Sequence, residues 1–209
     1  MIPASKPPTL NHDHRCEIFG ISIWKIRISD YSHVYSQYQL KPFYHVYITM
    51  PAIILENLRS AYNVGNIVRT ADALWRDIII TWYTPSPISN PKVIKTSLGA
   101  ELSVTIAEYP WRHHDGTDIT AIQSAIQHAR TTYGPVYALE ITDSSRDIGS
   151  VDRKTLDGQF ALLVGNEPEW VEASTLASVD WVIHIPMLWV KESLNVGQCA
   201  AIAMWHTMQ

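Results

Sequence analysis

The sequence predicts an α/β fold in which a parallel β-sheet is covered by helices on both faces. From Met50 onward, apolar segments of strand length alternate with segments of helical length. The apolar segments are largely continuous, which is typical of strands buried on both faces. The helical segments between them provide the crossovers that parallel strands require.

Six strands are predicted in this part of the chain. They lie at 52–56, 77–83, 102–108, 135–141, 159–165 and 180–186. Helices are predicted between and after these strands, near 64–74, 91–97, 117–132, 169–178 and 193–207. No internal repeat interrupts this alternation, so residues 50–209 are predicted to form one domain.

Residues 1–49 have a different character. They are rich in Tyr, His, Ser and Pro and show no sustained period of 2 or 3.6. The segment ASKPPTLNHDH is predicted to be unstructured, whereas HVYSQYQLKPFYHVYIT could hold a short strand. We therefore expect residues 1–49 to be a poorly ordered N-terminal extension rather than an independent domain.

Bulk composition excludes several classes of protein. With 209 residues, 46% hydrophobic and 17% charged, the chain is globular and long enough for one well-packed domain. It has no apolar run near the ~20 residues that span a membrane, so no membrane partner is expected. Cys16 and Cys199 lack metal-type spacing, so we expect no metal and a reducing, cytoplasmic setting. The net charge of −4 argues mildly against nucleic-acid binding, although a local basic patch would permit it.

Three polar loops follow predicted strands and indicate one ligand site. They read ENLRSAYNVGNIVRTADA, VGNEPEWV and IPMLWVKESLNVGQCAAIAM. Ligands of open parallel sheets bind at the carboxyl ends of the strands, where such loops meet. The dinucleotide fingerprint, the phosphate loop and the G-x-S-x-G motif are all absent from the sequence. Alternatively, each loop is an ordinary turn, with Asn63, Asn166 and Ser193 as helix caps.

Together, the three loops resemble the motifs of the SpoU (TrmH-like) branch of the SPOUT RNA methyltransferases. The first motif, N-x-x-x-x-x-R-T-x-D-A, is matched by Asn63 and residues 69–73. The second, a strand ending in G-N-E, is matched by residues 165–167. The third, I-P-M followed by S-L-N-V, is matched by residues 185–187 and 193–196.

The resemblance covers residues 50–209, including the S-x-G-A segment in KTSLGAE at 95–101. It implies a parallel-sheet SPOUT fold with a C-terminal trefoil knot. It also implies that S-adenosylmethionine donates a methyl group to the ribose 2′-hydroxyl of an RNA, tRNA or rRNA. The protein is then expected to act as a homodimer with its site at the knot.

The resemblance also assigns site residues. It implies that five residues form the catalytic group: Arg69, Asn63, Glu167, Ser193 and Asn195. It implies that six residues bind the cofactor: Leu139, Gly165, Ile185, Met187, Ser193 and Leu194. For each apolar residue taken alone, plain core packing is the alternative explanation.

Methyl transfer to a ribose hydroxyl explains why the site needs an arginine. The leaving thioether is neutral, but the hydroxyl is scarcely ionised, so a cation must stabilise the developing alkoxide. Because arginine keeps its proton beyond pH ~12, we expect Arg69 to orient and stabilise rather than act as a base. Asn63 and Gly65 are expected to let the chain turn close to the substrate. The alternative for Arg69 is a surface ion pair with Asp72.

Tryptophan stands at four positions where the family favours glycine: Trp75, Trp82, Trp170 and Trp189. The chain has 9 glycines, where a typical composition gives about 15, and it has 8 tryptophans. One hypothesis is that UGA codons meaning glycine have been translated as tryptophan. A related hypothesis is that residues 1–49 are not native, because MPAIILENLRSAYNVG resembles the start of short family members.

If both hypotheses are wrong, we expect a diverged family member with an impaired cofactor site. The alternative function is a non-catalytic RNA-binding or scaffold protein that retains the knotted fold, which Trp170 and Trp189 in the site loops favour. A small-molecule enzyme on a doubly wound sheet ranks last, because a nucleotide fingerprint is missing.

Overall fold

The computed structural model describes residues 15–18, 21–24, 51–109, 120–151, 159–166, 171–188, 190 and 193–208. The chain divides into two compact units, Met1–Tyr47 and Ile48–Gln209. In the first unit, strands β1 (Arg15–Ile18) and β2 (Ile21–Trp24) pair in antiparallel fashion. The predictions for ASKPPTLNHDH and HVYSQYQLKPFYHVYIT lie outside the described residues.

The second unit contains a seven-stranded sheet in which every pair of neighbouring strands is parallel. Its strands are β3 (Ala52–Leu55), β4 (Asp77–Thr81), β5 (Ile106–Tyr109), β6 (Val136–Leu139), β7 (Arg146–Asp147), β8 (Ala161–Val164) and β9 (Trp181–His184). Their order across the sheet is β5-β4-β3-β8-β6-β9-β7. The predicted parallel α/β sheet is therefore confirmed, and each of the six predicted strands is present. Strand β7 was not predicted, because two residues are too short to give a pattern.

Within the described residues of this unit, five α-helices connect or follow these strands. They are α1 (Ala61–Ala73), α2 (Pro91–Ser97), α3 (Ala121–Thr132), α4 (Ala173–Leu176) and α5 (Val196–His206). The strand predicted to begin at residue 102 begins at Ile106, because Ala100–Leu102 form a 3-10 helix. Residues 117–119 and 169–170 of the predicted helices lie outside the described residues.

Helices cover both faces of the sheet, as the continuous apolar strands predicted. On one face, Val64 of α1, Val93 of α2 and Ala200 of α5 belong to a single buried cluster with alternate strand residues. On the other face, Ile126 and Ala129 of α3 pack against the remaining strand residues. Successive residues of each strand therefore contribute to opposite layers of the core.

Helix α1 begins earlier than predicted. The Ser60 hydroxyl caps it by accepting a hydrogen bond from the Asn63 backbone N–H at 3.2 Å. Asn63 and Gly65 therefore lie inside the helix, and the prediction that they form a turn near the substrate is wrong. A Cβ on Gly65 would lie 2.5 Å from Thr96 Cβ. Glycine is needed here because α1 packs closely on α2, not because the chain turns.

Two of the unusual tryptophans adopt left-handed backbone conformations. Trp75 has φ 52° and Trp82 has φ 44°. Trp75 follows α1 in a Schellman motif, in which the Arg76 N–H donates to Ala71 O at 2.9 Å. Trp82 is the second residue of a turn closed by the Thr84 N–H and Thr81 O. Both positions favour glycine, which supports the hypothesis that glycine is the expected residue there.

Arg76 anchors the carboxyl end of α5 to the loop after α1. The buried guanidinium donates to Met204 O at 3.1 Å and to the Thr207 hydroxyl at 2.8 Å. It also lies over the Phe160 ring, 5.2 Å from the centroid. Burial lowers the pKa of Arg76 to about 10, so the group remains a cation at neutral pH.

Candidate functional site

An open cavity lies at the carboxyl ends of three neighbouring strands, β8, β6 and β9. Residues after each strand line it, and the segment leading into α5 forms a further wall. All six residues predicted to bind the cofactor line this cavity: Leu139, Gly165, Ile185, Met187, Ser193 and Leu194. Two of the three predicted loops, those after β8 and β9, therefore meet here beside the residues that follow β6, whereas no described residue of the first predicted loop lines the cavity. That these residues bind a cofactor stays a prediction.

Glu140 also lines the cavity, although the sequence reasoning missed it. Its Oε1 accepts a hydrogen bond from the Ile141 N–H at 2.8 Å, and its Oε2 accepts one from the Val171 N–H at 3.1 Å. Two backbone donors thus hold the carboxylate in place at a half-buried position. The available signal was its place directly after Leu139, at the end of a parallel strand.

His184, which ends β9, is a second lining residue that was missed. The Ser145 hydroxyl donates its one proton to Thr142 O at 2.8 Å and lies 3.0 Å from His184 Nδ1. The Ser145 hydroxyl therefore connects the loop after β6 to the His184 ring at the cavity.

Cys199 lies on the α5 side of the cavity. Its thiol donates to Leu194 O at 3.8 Å. Burial raises the pKa of this thiol, and the negative charge of Glu140 raises it further. Cys199 is consequently a protonated, weakly polar wall residue rather than a reactive thiolate.

A hydrogen bond joins the first and third predicted motifs. Asn195 Nδ2 donates to Asn63 Oδ1 at 3.2 Å, and Asn63 is buried in α1. Asn195 also caps α5, because its Oδ1 accepts from the Gly197 N–H at 2.9 Å. The side-chain amide thus fixes the start of α5 against α1.

Of the four predicted catalytic residues that the structure describes, Ser193 alone lines the cavity itself. Arg69 is exposed on α1, one helical turn beyond Asn66. Asn66 in turn lies beside Gly197, where an added Cβ would be 3.9 Å from Asn66 Cβ. Arg69 therefore belongs to the helix surface that adjoins the start of α5. Glu167, Trp170 and Trp189 lie outside the described residues.

A second glutamate, also missed by the sequence reasoning, is buried at the carboxyl end of β3. Glu56 Oε1 accepts a short hydrogen bond from the Thr175 hydroxyl, while Oε2 has no hydrogen-bond partner. Burial raises the pKa of Glu56 to about 7. The neighbouring Asn57 has φ 54° and donates to Glu172 Oε1 at 3.3 Å.

A known protein family matches the part of the chain that forms this sheet and its cavity. Residues 50–205 match the SpoU rRNA Methylase family. The chain belongs to this family. The resemblance inferred from the three motifs is thereby confirmed.

Two relatives and one solved structure illustrate the similarity to other SpoU proteins. The tRNA (guanosine(18)-2′-O)-methyltransferase of Thermus thermophilus is 28% identical over 75% of this chain and 73% of its own length. The 23S rRNA (guanosine(2553)-2′-O)-methyltransferase of Bacillus subtilis is 23% identical over 74% of this chain. This chain spans 56% of the Bacillus protein.

The fold resembles that of the AdoMet-bound rRNA methyltransferase from Sinorhizobium meliloti. The TM-score is 0.64 at 23% identity, covering 76% of this chain and 55% of that one. Among its described residues, this SpoU chain has no group of three or more His, Cys, Asp or Glu side chains that could hold a metal. None of the helices in the described ranges is long and apolar enough to cross a membrane.

Proposed function

We propose that this chain is an S-adenosylmethionine-dependent methyltransferase that modifies the ribose 2′-hydroxyl of tRNA or rRNA. The observation that carries this proposal is the hydrogen bond between Asn195 and Asn63. It attaches the motif that walls the cavity to the helix that carries Arg69. The proposed methyltransferase domain is residues 50–209, with residues 1–49 as an N-terminal extension outside it.

The cavity suits the proposed methyl donor. Leu139, Ile185 and Leu194 offer apolar surface for a purine ring, and Gly165 leaves the backbone at the end of β8 accessible. Backbone groups beyond the strand ends can recognise the edge of the ring. When bound, S-adenosylmethionine supplies an electrophilic methyl group and a neutral leaving group.

The chain's own residues must position and polarise the acceptor. Negative charge develops on the ribose oxygen as its hydroxyl loses the proton to solvent, and this charge is consumed as the C–O bond forms and the C–S bond breaks. We assign Arg69 to stabilise that charge and to orient the adjacent phosphate, because its guanidinium remains protonated. Ser193 and Asn195 are assigned to hold the sugar beside the cavity, and Glu167 to position Asn63 or Arg69.

Exposed apolar side chains support a homodimer, the proposed assembly. Ile202, Trp205 and Met208 are exposed on and after α5, and Tyr62 is 67% exposed on α1. A set of this kind on two packed helices is typical of a surface that another protein covers. The trefoil knot is proposed on the family resemblance. Residues of the C-terminal segment contribute to the lining of the cavity, which agrees with this proposal.

Methyl transfer to RNA tests the proposal directly. Purified protein is incubated with labelled S-adenosylmethionine and either bulk tRNA or bulk rRNA, and alkali-resistant linkages are mapped. We expect label at ribose 2′-positions in one of the two RNA pools. Calorimetry with S-adenosylmethionine accompanies the assay. An absence of both binding and transfer would contradict the proposal and favour the non-catalytic RNA-binding alternative.

Arg69 variants test the assigned role. We expect Arg69→Ala to lower the rate of methyl transfer by about 10²–10³-fold, the loss typical of removing one stabilising group. Arg69→Lys is expected to fail similarly, because a point charge does not reproduce the planar guanidinium. Arg130→Ala is the control, since Arg130 is an exposed arginine on α3, on the other face of the sheet. Unchanged transfer by Arg69→Ala would remove Arg69 from the mechanism.

A further inference from the structure

Glu140 is the one formally charged residue among the described residues that line the cavity. The other lining groups are apolar side chains, glycine and neutral polar side chains. Its carboxylate is fixed by the Ile141 and Val171 N–H groups, each of which uses one lone pair of a different oxygen. The negative charge is therefore held in place but not neutralised by a described cation at the cavity.

The effect of this charge extends across the cavity. The pKa of Cys199, on the α5 side, is raised first by burial and then by the negative charge of Glu140. Cys199 belongs to the wall opposite the strand ends, so a ligand in the cavity lies within the field of Glu140. In a half-buried cavity this field is screened less than at an open surface.

The two forms of the proposed donor differ in charge. S-adenosylmethionine carries an ammonium, a carboxylate and a sulfonium, for a net charge of +1. When the methyl group leaves, the C–S electron pair returns to sulfur and the acceptor proton passes to solvent. S-adenosylhomocysteine, the product, is then neutral overall.

We propose that Glu140 is a specificity-determining residue that makes the cavity favour the cationic methyl donor over its neutral product. This proposal rests on the proposed function, because it requires S-adenosylmethionine in this cavity. Transfer removes the charge that Glu140 attracts, so the reaction itself weakens cofactor binding and promotes product release.

The test compares three ligands by calorimetry on the full chain and on Glu140→Gln. The ligands are S-adenosylmethionine, S-adenosylhomocysteine and sinefungin, in which an ammonium replaces the sulfonium. We expect Glu140→Gln to weaken binding of both cations by about five- to tenfold and to leave the affinity for the neutral product unchanged. That factor corresponds to unit charges about 7 Å apart at an effective dielectric constant of about 40.

Asp143→Asn is the matched control. Asp143 is an exposed carboxylate three residues further along the same loop, and it does not line the cavity. The Asp143→Asn substitution removes the same formal charge from the same segment. Because Asp143 does not line the cavity, this substitution should leave all three affinities unchanged. If Asp143→Asn shifts cation affinity as much as Glu140→Gln does, general surface charge is responsible and the proposal is overturned.

Salt dependence provides a second test, on the wild type and on Glu140→Gln. Raising the salt concentration should lower the ratio of donor to product affinity in the wild type and leave this ratio flat in Glu140→Gln. Equal weakening of donor and product in Glu140→Gln would overturn the proposal, since it would place the carboxylate against the ammonium that both ligands share. Wild-type protein that binds neither ligand would overturn the proposed function as well.

Discussion

The dipeptide Leu–Glu ends two strands of this sheet, and its two copies have opposite environments. Glu56 follows Leu55 at the end of β3 and is 1% exposed. Glu140 follows Leu139 at the end of β6 and lines the open cavity. Only β8 separates these strands in the sheet.

The hydrogen-bond donors around the two carboxylates differ as much as their burial. Glu140 accepts one backbone N–H at each oxygen and keeps free lone pairs toward the cavity. Glu56 accepts one hydroxyl proton from Thr175 and leaves Oε2 buried without a partner. The same dipeptide thus places one carboxylate, Glu140, at an open cavity. It buries the other, Glu56, at a cost in desolvation free energy.

The largest expected effect concerns Glu56 and pH. Its pKa is raised from 4.5 to about 7 in the folded chain, so between these values the folded chain holds a proton that the unfolded chain has released. The free energy of unfolding should therefore fall as pH rises from about 5 to about 8, by about 1–3 kcal/mol from this group. Glu56→Gln should lack this part of the slope. Urea unfolding at several pH values measures it.

Glu140→Gln is the control for that slope, because it removes the other Leu–Glu carboxylate. A slope in Glu140→Gln equal to that of the wild type would assign the slope to Glu56 rather than to any carboxylate at a strand end. If Glu56→Gln and the wild type lose stability equally between pH 5 and pH 8, Glu56 does not carry the proton.

The contrast between the two glutamates also shows which features of the structure the sequence could predict and which it could not. The order of strands and helices followed from apolar runs, and the meeting of the loops after β8 and β9 followed from the parallel sheet. The environments of Glu56 and Glu140 did not follow, because they depend on Thr175 and Val171, more than 30 residues away in the chain. Both donors come from the segment after the second motif, which the sequence assigned only to a helix at 169–178.

Helix α1 shows a second limit of the sequence. Asn63 and Gly65 were expected to let the chain turn, because these residue types are common in turns. In the structure both lie in the first two turns of a helix, and each has a tertiary contact that explains its place there. Asn63 accepts from Asn195, and Gly65 makes room for Thr96. A local pattern could not reveal either partner.

The second prediction concerns the hydrogen bond between Asn63 and Asn195, which attaches the segment at the cavity to helix α1. Asn195→Ala should cost about 1–2 kcal/mol of stability, because it removes the cap of α5 and the bond to α1. A double-mutant cycle with Asn63→Ala separates these contributions. We expect a coupling energy of about 0.5–1.5 kcal/mol from the side-chain bond, measured by urea unfolding. Strictly additive losses would mean that the two motifs are not energetically joined.

Asn90→Ala serves as the control for capping alone. Asn90 caps α2 through the Lys92 and Val93 N–H groups, as Asn195 caps α5. It should cost about 1 kcal/mol and show no coupling to Asn63→Ala. Coupling of similar size in both cycles would assign the effect to general weakening of the fold.

The smallest expected effect on the free energy of unfolding concerns the tryptophans with left-handed backbone conformations, Trp75 and Trp82. Trp82 follows β4, the strand that pairs with β3. A non-glycine residue in this conformation costs about 1 kcal/mol, offset in part by the greater freedom of glycine when unfolded. Trp75→Gly and Trp82→Gly should therefore each raise the free energy of unfolding by about 0.5–1 kcal/mol. Trp205→Gly, at an exposed position inside α5, should lower it by about 1 kcal/mol.

The gene sequence supplies an independent check on the same hypothesis. If UGA encodes glycine in the source organism, UGA codons are expected at positions 75 and 82, where the backbone favours glycine, and also at 170 and 189. Trp205, whose helical position does not favour glycine, should be encoded by UGG. UGG codons at 75 and 82 would make both tryptophans genuine. In that case stabilisation by Trp75→Gly and Trp82→Gly would report backbone strain that the native protein carries at these two turns.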